Sequence, residues 1–466
     1  MQYITITDFI LLPFCLFVVF IIAAYYRNKL YPPTHPLRKI FMWAFSLKIF
    51  GGIFVGLIYF YYYKGGDTFS YWEHAQLINS SFHDSVFTWF KLVTRTGDYY
   101  DVDIFSYASK MWWYDSPPDY VVPQITAVIA LFTFNSYLPT TVLFAALSFI
   151  GIWKMFIVFT KLYPRLIKQM AFAFLFIPSV VFWGSGLMKD TITLSCIGWV
   201  VHFFYLVFYE NKKMVANSIG AIAFLYFIFV IKSYIVLAFL PAALLWGVGL
   251  LSYKIKDKRL VVIARYFLYA IALAGLVLVG GRLQTEVFGQ YNVESIGYKS
   301  FVTRDYLLRI STEQDGSGYS LGDMDPTILG MLEQAPAGIN VTLFRPYPWE
   351  ARKPIVMLSA LEALFFLGFT VAVVFRNNPL RVVGRILADE TLQFCLIFTM
   401  VFAFAVGIST SNFGSLSRYK IPCMPFYTAF LFIIFNPPKQ ELVLKKKISR
   451  NREDKKLQSL PAHSLT

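Results

Sequence analysis

The sequence predicts an all-α, polytopic integral membrane protein with about eleven transmembrane helices and two long extracytoplasmic loops. Three observations carry that prediction. Apolar runs of about twenty residues recur along the chain, the length that crosses a hydrocarbon core of roughly 30 Å. The 466 residues are 57% hydrophobic and only 15% charged, far from a soluble composition. Aromatic residues make up 19%, and Tyr and Trp favour the membrane–water boundary.

The apolar runs place spans near 8–26, 40–63, 139–160, 169–185, 188–208, 216–231, 234–251, 260–280, 354–375, 391–411 and 421–436. The first has no basic stretch before it and no A-x-A-like cleavage site after it, and reads as a retained helix. The run 121–135 is short and contains Pro123, so it reads as re-entrant or interfacial; a full crossing would raise the count to twelve. Residues 1–436 form one transmembrane domain, with a first outer loop over 64–120 and a larger one over 281–353. Residues 437–466 read as a basic cytoplasmic tail that lies near anionic lipid.

Charge sets the orientation. The segments 27–39, 161–169, 209–215, 252–259, 376–390 and 437–466 hold 24 Lys and Arg against 7 Asp and Glu. The two long loops hold 11 against 17. The basic set is expected in the cytoplasm, with the N-terminus outside and the C-terminus inside. The net charge of +15 is thus a topology signal, and a nucleic-acid partner is not expected. The four cysteines lie in or beside apolar runs, and the five histidines show no metal-ligand spacing. No cofactor is expected, although a divalent metal is compatible with the acids below. No phosphate-binding loop or dinucleotide fingerprint is present.

Four stretches carry residues able to do chemistry. "KGGDTFSYWEHA" (64–75) leaves a span almost without a spacer. Gly65 and Gly66 permit a sharp turn; Asp67, Tyr71 and Ala75 would share a helix face, and Glu73 is a second acid in the same stretch. An acid opening an interfacial helix also serves as a cap. "FIPSVVFWGSGLMKDTITLS" (176–195) places Lys189 and Asp190 in a turn too short to carry charge far from the bilayer, unless the turn simply faces water. "SNFGSLSRYKIPCMPF" (411–426) brings Arg418 and Lys420 to the outer side, against the inside bias. The planar fork of Arg suits phosphate, whereas a long cationic side chain also snorkels to lipid. "FRPYPWEARKP" (344–354) sets Arg345 and Arg352 before a span, where an aromatic belt is common. Glu362 and Lys232 are further ionisable residues inside or between spans.

These stretches fall on one predicted side. Together they suit a lipid-phosphate donor, with its phosphate near Lys189 or Arg418 and its sugar toward Asp67 acting as general base. At these residues the chain resembles the GT-C superfamily of polytopic glycosyltransferases that use polyprenyl-phosphate sugars, namely the dolichyl-phosphate-mannose mannosyltransferase-like proteins and the lipid A aminoarabinose transferases. "GGDTFSYWEHA" is similar to the family's acid-bearing first outer loop, which puts Asp67 in the acid's place. "IPSVVFWGSGLMKD" resembles the span and short turn that bear a second acid, here Asp190. "SRYKIPCMPF" resembles a late "RYR-x-P-x-x-P" motif, in which Arg418 would contact donor phosphate. The chain departs from the pattern by an extra span before the acidic loop and by a mid-chain large loop.

The resemblance implies Asp67 and Asp190 as catalytic residues, and Tyr71, Glu73, Lys189, Arg345, Arg352 and Arg418 as substrate-binding ones. It implies a polyprenyl-phosphate-linked sugar donor, a glycan, lipid or protein acceptor, and a site on the extracytoplasmic side of the cell (inner) membrane. An O-antigen-type polysaccharide polymerase or ligase would instead use a lipid-diphosphate-linked oligosaccharide and lean on Arg345, Arg352 and Arg418. A transporter of lipid-linked sugars would show internal repeats, and none is found.

Overall fold

A computed structural model describes residues 3–252, 317–322 and 328–436, together with positions 263, 302, 306 and 309. The chain is helical, with no strand among the described residues; one isolated bridge joins Gly318 to Asn412. Among the described residues, seven helices are long and apolar enough to cross a membrane, so this is a multi-pass membrane protein. The expected span at 260–280, most of the second loop and the tail lie outside the described residues.

Helix α1 (Ile6–Leu30) starts at the same end of the molecule as the 64–120 region. Tyr3 donates to Glu73 at 2.8 Å, and the Leu138 amide donates to Asp8 at 2.9 Å. Helix α2 (Leu37–Ile58) continues as a π-turn to Tyr63 and returns the chain to that end, here called the site face. There α3 (Asp67–Asp84), α4 (Val86–Thr94), α5 (Phe105–Ala108) and α6 (Pro117–Leu131) build a small subdomain. Its own apolar centre gathers Ile78, Leu92, Ile104, Met111, Tyr114 and Tyr120. The 121–135 run falls largely in α6, which packs on α3 and is too short, at 15 residues, to cross alone.

Helix α7 (Tyr137–Leu162) leads to the opposite face, where Tyr163 donates to Asp389 at 2.9 Å and Lys161 pairs with Glu210 at 2.7 Å. The run 169–185 forms no single helix. It is broken into α8 (Ile167–Ala171), a π-turn and α9 (Pro178–Trp183), because Pro178 supplies no amide and holds the residue before it extended. In lipid such a break leaves polar backbone that must be satisfied. Glu362 accepts from the Ser179 amide at 2.8 Å and from its hydroxyl at 2.6 Å. Lys48 donates to the Gly184 carbonyl at the other end. Anion and cation thus sit at the ends of α9 that its dipole favours.

Helix α10 (Lys189–Phe204) descends to the opposite face. The next helical stretch, α11 (Met214–Ser252), would run roughly 58 Å if straight. It is not straight. Lys232 has φ −150° and ψ 78°, which are not helical values. Gly220 packs on Phe203 while Gly247 packs on Phe208, so both ends return to the same end of α10. The chain therefore turns back at Lys232, and the separate runs 216–231 and 234–251 are its two arms. Beyond the undescribed residues come α12 (Ile328–Glu333) and α13 (Ala335–Phe344), the latter packed on α16. Then follow α14 (Pro354–Arg376), α15 (Pro379–Ala388), α16 (Glu390–Ser409), α17 (Phe413–Tyr419) and α18 (Met424–Phe435). The last apolar run, expected at 421–436, yields a helix of only 12 residues.

This arrangement predicts that single cysteines at Lys213 and Asn378 react with an impermeant thiol reagent from one side of the membrane only, and a cysteine at Tyr100 from the other. Labelling of Lys213→Cys and Tyr100→Cys from the same side would contradict the path of the chain.

Candidate functional site

On the site face, three of the four stretches come together. Lys64, at φ 54°, and Gly65 and Gly66, at φ 153° and 114°, turn the chain at the end of α2. Gly66 is required there twice over, since a Cβ would also lie 2.8 Å from the Tyr59 ring. The turn delivers Asp67 as the first residue of α3. The Gly184–Met188 turn delivers Lys189 and Asp190 to the start of α10. Helix α17, capped by the Asn412 side chain, delivers Arg418.

These side chains meet. The Arg418 guanidinium donates to Asp190 Oδ2 through Nε at 2.5 Å and to Asp67 Oδ2 through Nη1 at 2.6 Å. Asp190 is fully buried, and its other oxygen accepts from Lys232. Two carboxylates and two cations thus form one neutral chain, which is how buried charge becomes tolerable in a membrane protein. Burial opposes the Arg418 charge, but Asp190 first, then Tyr59 and Asp67, outweigh it and hold the guanidinium protonated well above its ordinary range. The Lys232 ammonium also lies 5.1 Å from the Tyr419 ring centroid. Exposure grades along the chain: Asp190 0%, Arg418 13%, Asp67 46%. The carboxylate of the chain that reaches the surface is therefore Asp67.

Lys189 pairs with Asp119, at the start of α6, rather than with Asp190. Tyr71 lies one turn along α3 from Asp67, buried, with its ring 4.8 Å from Trp113. Burial and the nearby Asp67 charge raise its phenol above the usual range, so it stays protonated and able to donate. Glu73 faces away, toward Tyr3.

The fourth stretch behaves differently. Arg345 is engaged by Glu350 through a forked pair, with Nε 3.1 Å from both carboxylate oxygens. That partner raises the Arg345 guanidinium. Glu350, disfavoured as an anion by burial, is nonetheless held below its usual value by Arg345. The Arg345 guanidinium also lies 5.4 Å from the rings of Tyr319 and Phe413, beside α17. Arg352 is exposed just before α14. Neither arginine joins the Asp67–Arg418–Asp190 chain.

Two participants were not singled out for the site by sequence reasoning. Lys232 is legible as an ionisable residue between apolar runs, but its pairing with Asp190 requires the turn in α11. Asp119 gives no signal beyond lying close to the 121–135 run. Lys420, next to Arg418, is buried instead of snorkelling, and its ammonium has no hydrogen-bond partner. Among the described residues, no three His, Cys, Asp or Glu side chains gather to hold a metal ion. Asp67 and Asp190 both face Arg418.

Compared with family models, curated proteins and solved structures, the chain matches none, so the site is read from its residues alone.

Two predictions follow from burial and charge. Asp190→Asn strands Arg418 and Lys232 with surplus charge and should cost about 3–5 kcal/mol of stability. Asp67→Asn removes only a half-exposed partner and should cost about 0–1 kcal/mol; denaturation of both variants in detergent checks the contrast. The second prediction concerns His74, buried against Trp112 and Trp113. Burial pushes its imidazole down to about 4. Above the ordinary value of 6.5 both folded and unfolded chains hold it neutral. As pH falls below that, the unfolded chain takes the proton first, so stability drops until pH passes about 4. Melting temperatures from pH 7.5 to 4 should fall less for His74→Leu than for the wild type.

Proposed function

We propose that this protein is a membrane-embedded glycosyltransferase of the cell (inner) membrane. It moves a sugar from a polyprenyl-phosphate-linked donor to an extracytoplasmic glycan, lipid or protein acceptor. The observation that carries this reading is the double engagement of Arg418 by Asp67 and Asp190. It joins an outer acid, a second acid and a phosphate-gripping cation that lie 351 and 228 residues apart in sequence. The charge asymmetry of the loops supports a site on the extracytoplasmic side.

The geometry suggests a sequence of events. A donor phosphate arriving at Arg418 competes with Asp67 for the guanidinium, while Asp190 holds the fork in place from its buried side. Asp67, released and half-exposed, accepts the proton of an acceptor hydroxyl. The acceptor oxygen bonds to the anomeric carbon as the bond from that carbon to the phosphate oxygen breaks. The electron pair leaves with the polyprenyl phosphate, and Arg418 and Lys232 stabilise the charge that collects there. Tyr71 orients the reacting groups from the wall. Asp190 acts as a positioning residue, since both of its oxygens are occupied by cations.

An arginine-centred polymerase draws less support, because Arg345 is engaged by Glu350 and Arg352 stands apart on the surface.

The test is sugar transfer by the reconstituted protein with polyprenyl-monophosphate and polyprenyl-diphosphate donors, comparing wild type with Asp67→Asn. The expected result is consumption of a monophosphate sugar, with about a hundred- to ten-thousand-fold lower turnover in a folded variant. Reaction of a diphosphate oligosaccharide alone, or an undiminished variant, would overturn the assignment.

A further inference from the structure

Seven residues beyond Asp67 on α3, His74 presents an unusual environment. It is fully buried, and neither ring nitrogen has a hydrogen-bond partner. Buried imidazoles are ordinarily paired, because an unmatched polar group away from water costs about 1–3 kcal/mol. Asp67, Tyr71 and His74 follow at i, i+4 and i+7, which is one helix face, over roughly 10 Å.

Two tryptophans cover His74. The Trp112 ring lies 4.4 Å from the imidazole and the Trp113 ring 5.2 Å from it. Trp113 continues to Tyr71 at 4.8 Å, so an unbroken line of rings joins Trp112 to the residue beside Asp67. Trp112 itself is 61% exposed, so one of the two rings over His74 reaches the surface.

We propose that Trp112, Trp113 and His74 form a subsite for a sugar ring of the acceptor. This rests on the transferase reading and specifies a glycan as its acceptor. The chemistry matches on both sides. The apolar C–H face of a pyranose packs against an indole, while its rim carries hydroxyls that need donors and acceptors. A neutral imidazole supplies one of each, and burial keeps His74 neutral at physiological pH. In this proposal Trp112, the exposed ring of the two, moves aside to admit the sugar to those two nitrogens. The ring bound there would lie along the α3 face that leads to Asp67.

The other role for an exposed tryptophan is a membrane anchor. Charge speaks against it. Around Trp112, Asp98, Asp101, Asp103, Asp115 and Asp119 stand against Arg95 and Lys110, with Lys91 held by Asp101 and Asp103 and Lys189 held by Asp119, so no basic patch remains to draw the ring onto anionic headgroups. Asp98 and Asp115 are exposed there and can accept from sugar hydroxyls.

The experiment uses the full chain in nanodiscs. Calorimetric titration with a panel of soluble, neutral oligosaccharides is run on the wild type, Trp112→Ala, His74→Leu and His74→Gln. The expected result is binding by the wild type and at least about tenfold weaker binding by Trp112→Ala and His74→Leu. His74→Gln, which keeps a donor and an acceptor, should recover most of the affinity, which a merely structural role for His74 would not predict. Sugar binding that is indifferent to both positions would overturn the subsite, as would failure of every oligosaccharide to bind. Quenching by brominated lipid that disappears in Trp112→Phe would assign the residue to the membrane and overturn it as well. Donor consumption, measured on the same preparations with Asp67→Asn, reports separately on the transferase reading.

Discussion

A carboxylate with no exposed surface, in a chain built to sit in lipid, must be answered by cations from within the protein. Asp190 is that carboxylate, and much of the architecture serves it. The break in the helix before it places it at the start of α10. The turn in α11 brings Lys232 to one oxygen, and α17 brings Arg418 to the other. Only because Asp190 anchors Arg418 from the buried side can the guanidinium present its outer nitrogen to Asp67, at the mouth of the site. The gradient from buried to half-exposed carboxylate then separates two positions, one acid fixing the cation from inside and the other standing at the surface.

The same logic operates around α9. Six residues of helix in the apolar interior have polar ends that lipid cannot satisfy. Glu362 from α14 and Lys48 from α2 close those ends with the signs that the helix dipole favours. Ionisable residues inside a membrane protein invite a transport reading, yet these two are accounted for by the broken helix. What remains distinctive is concentrated on the site face.

The sequence made much of this legible, for physical reasons. Apolar run length reports crossing helices directly, so α1, α2, α7, α10, α14 and α16 were anticipated closely. Asp67, Asp190 and Arg418 were legible because each interrupts or borders an apolar run where charge is costly. Their mutual contact was not, since it depends on how α2, α10 and α17 pack. Run length also misled at 169–185, where hydropathy is continuous but Pro178 breaks the hydrogen-bond ladder. The arginines of 344–354 looked equivalent to Arg418 by composition. Only the local fold showed that Glu350, five residues from Arg345, engages that guanidinium. His74 gave no signal at all, because an orphaned imidazole is a property of packing.

The spacing of the charged cluster along the chain bears on how the protein is assembled at the translocon. Asp190 and Lys232 are separated by 42 residues, within one descending helix and the hairpin that follows it. They can neutralise each other while those segments are leaving the insertion machinery, before the C-terminal third of the chain has been made. Arg418, 228 residues later, arrives at a bilayer already holding that pair and converts it into a bridge to Asp67. The charged cluster is thus complete only once the last helices are in place, and without α17 it would lack its bridge to Asp67.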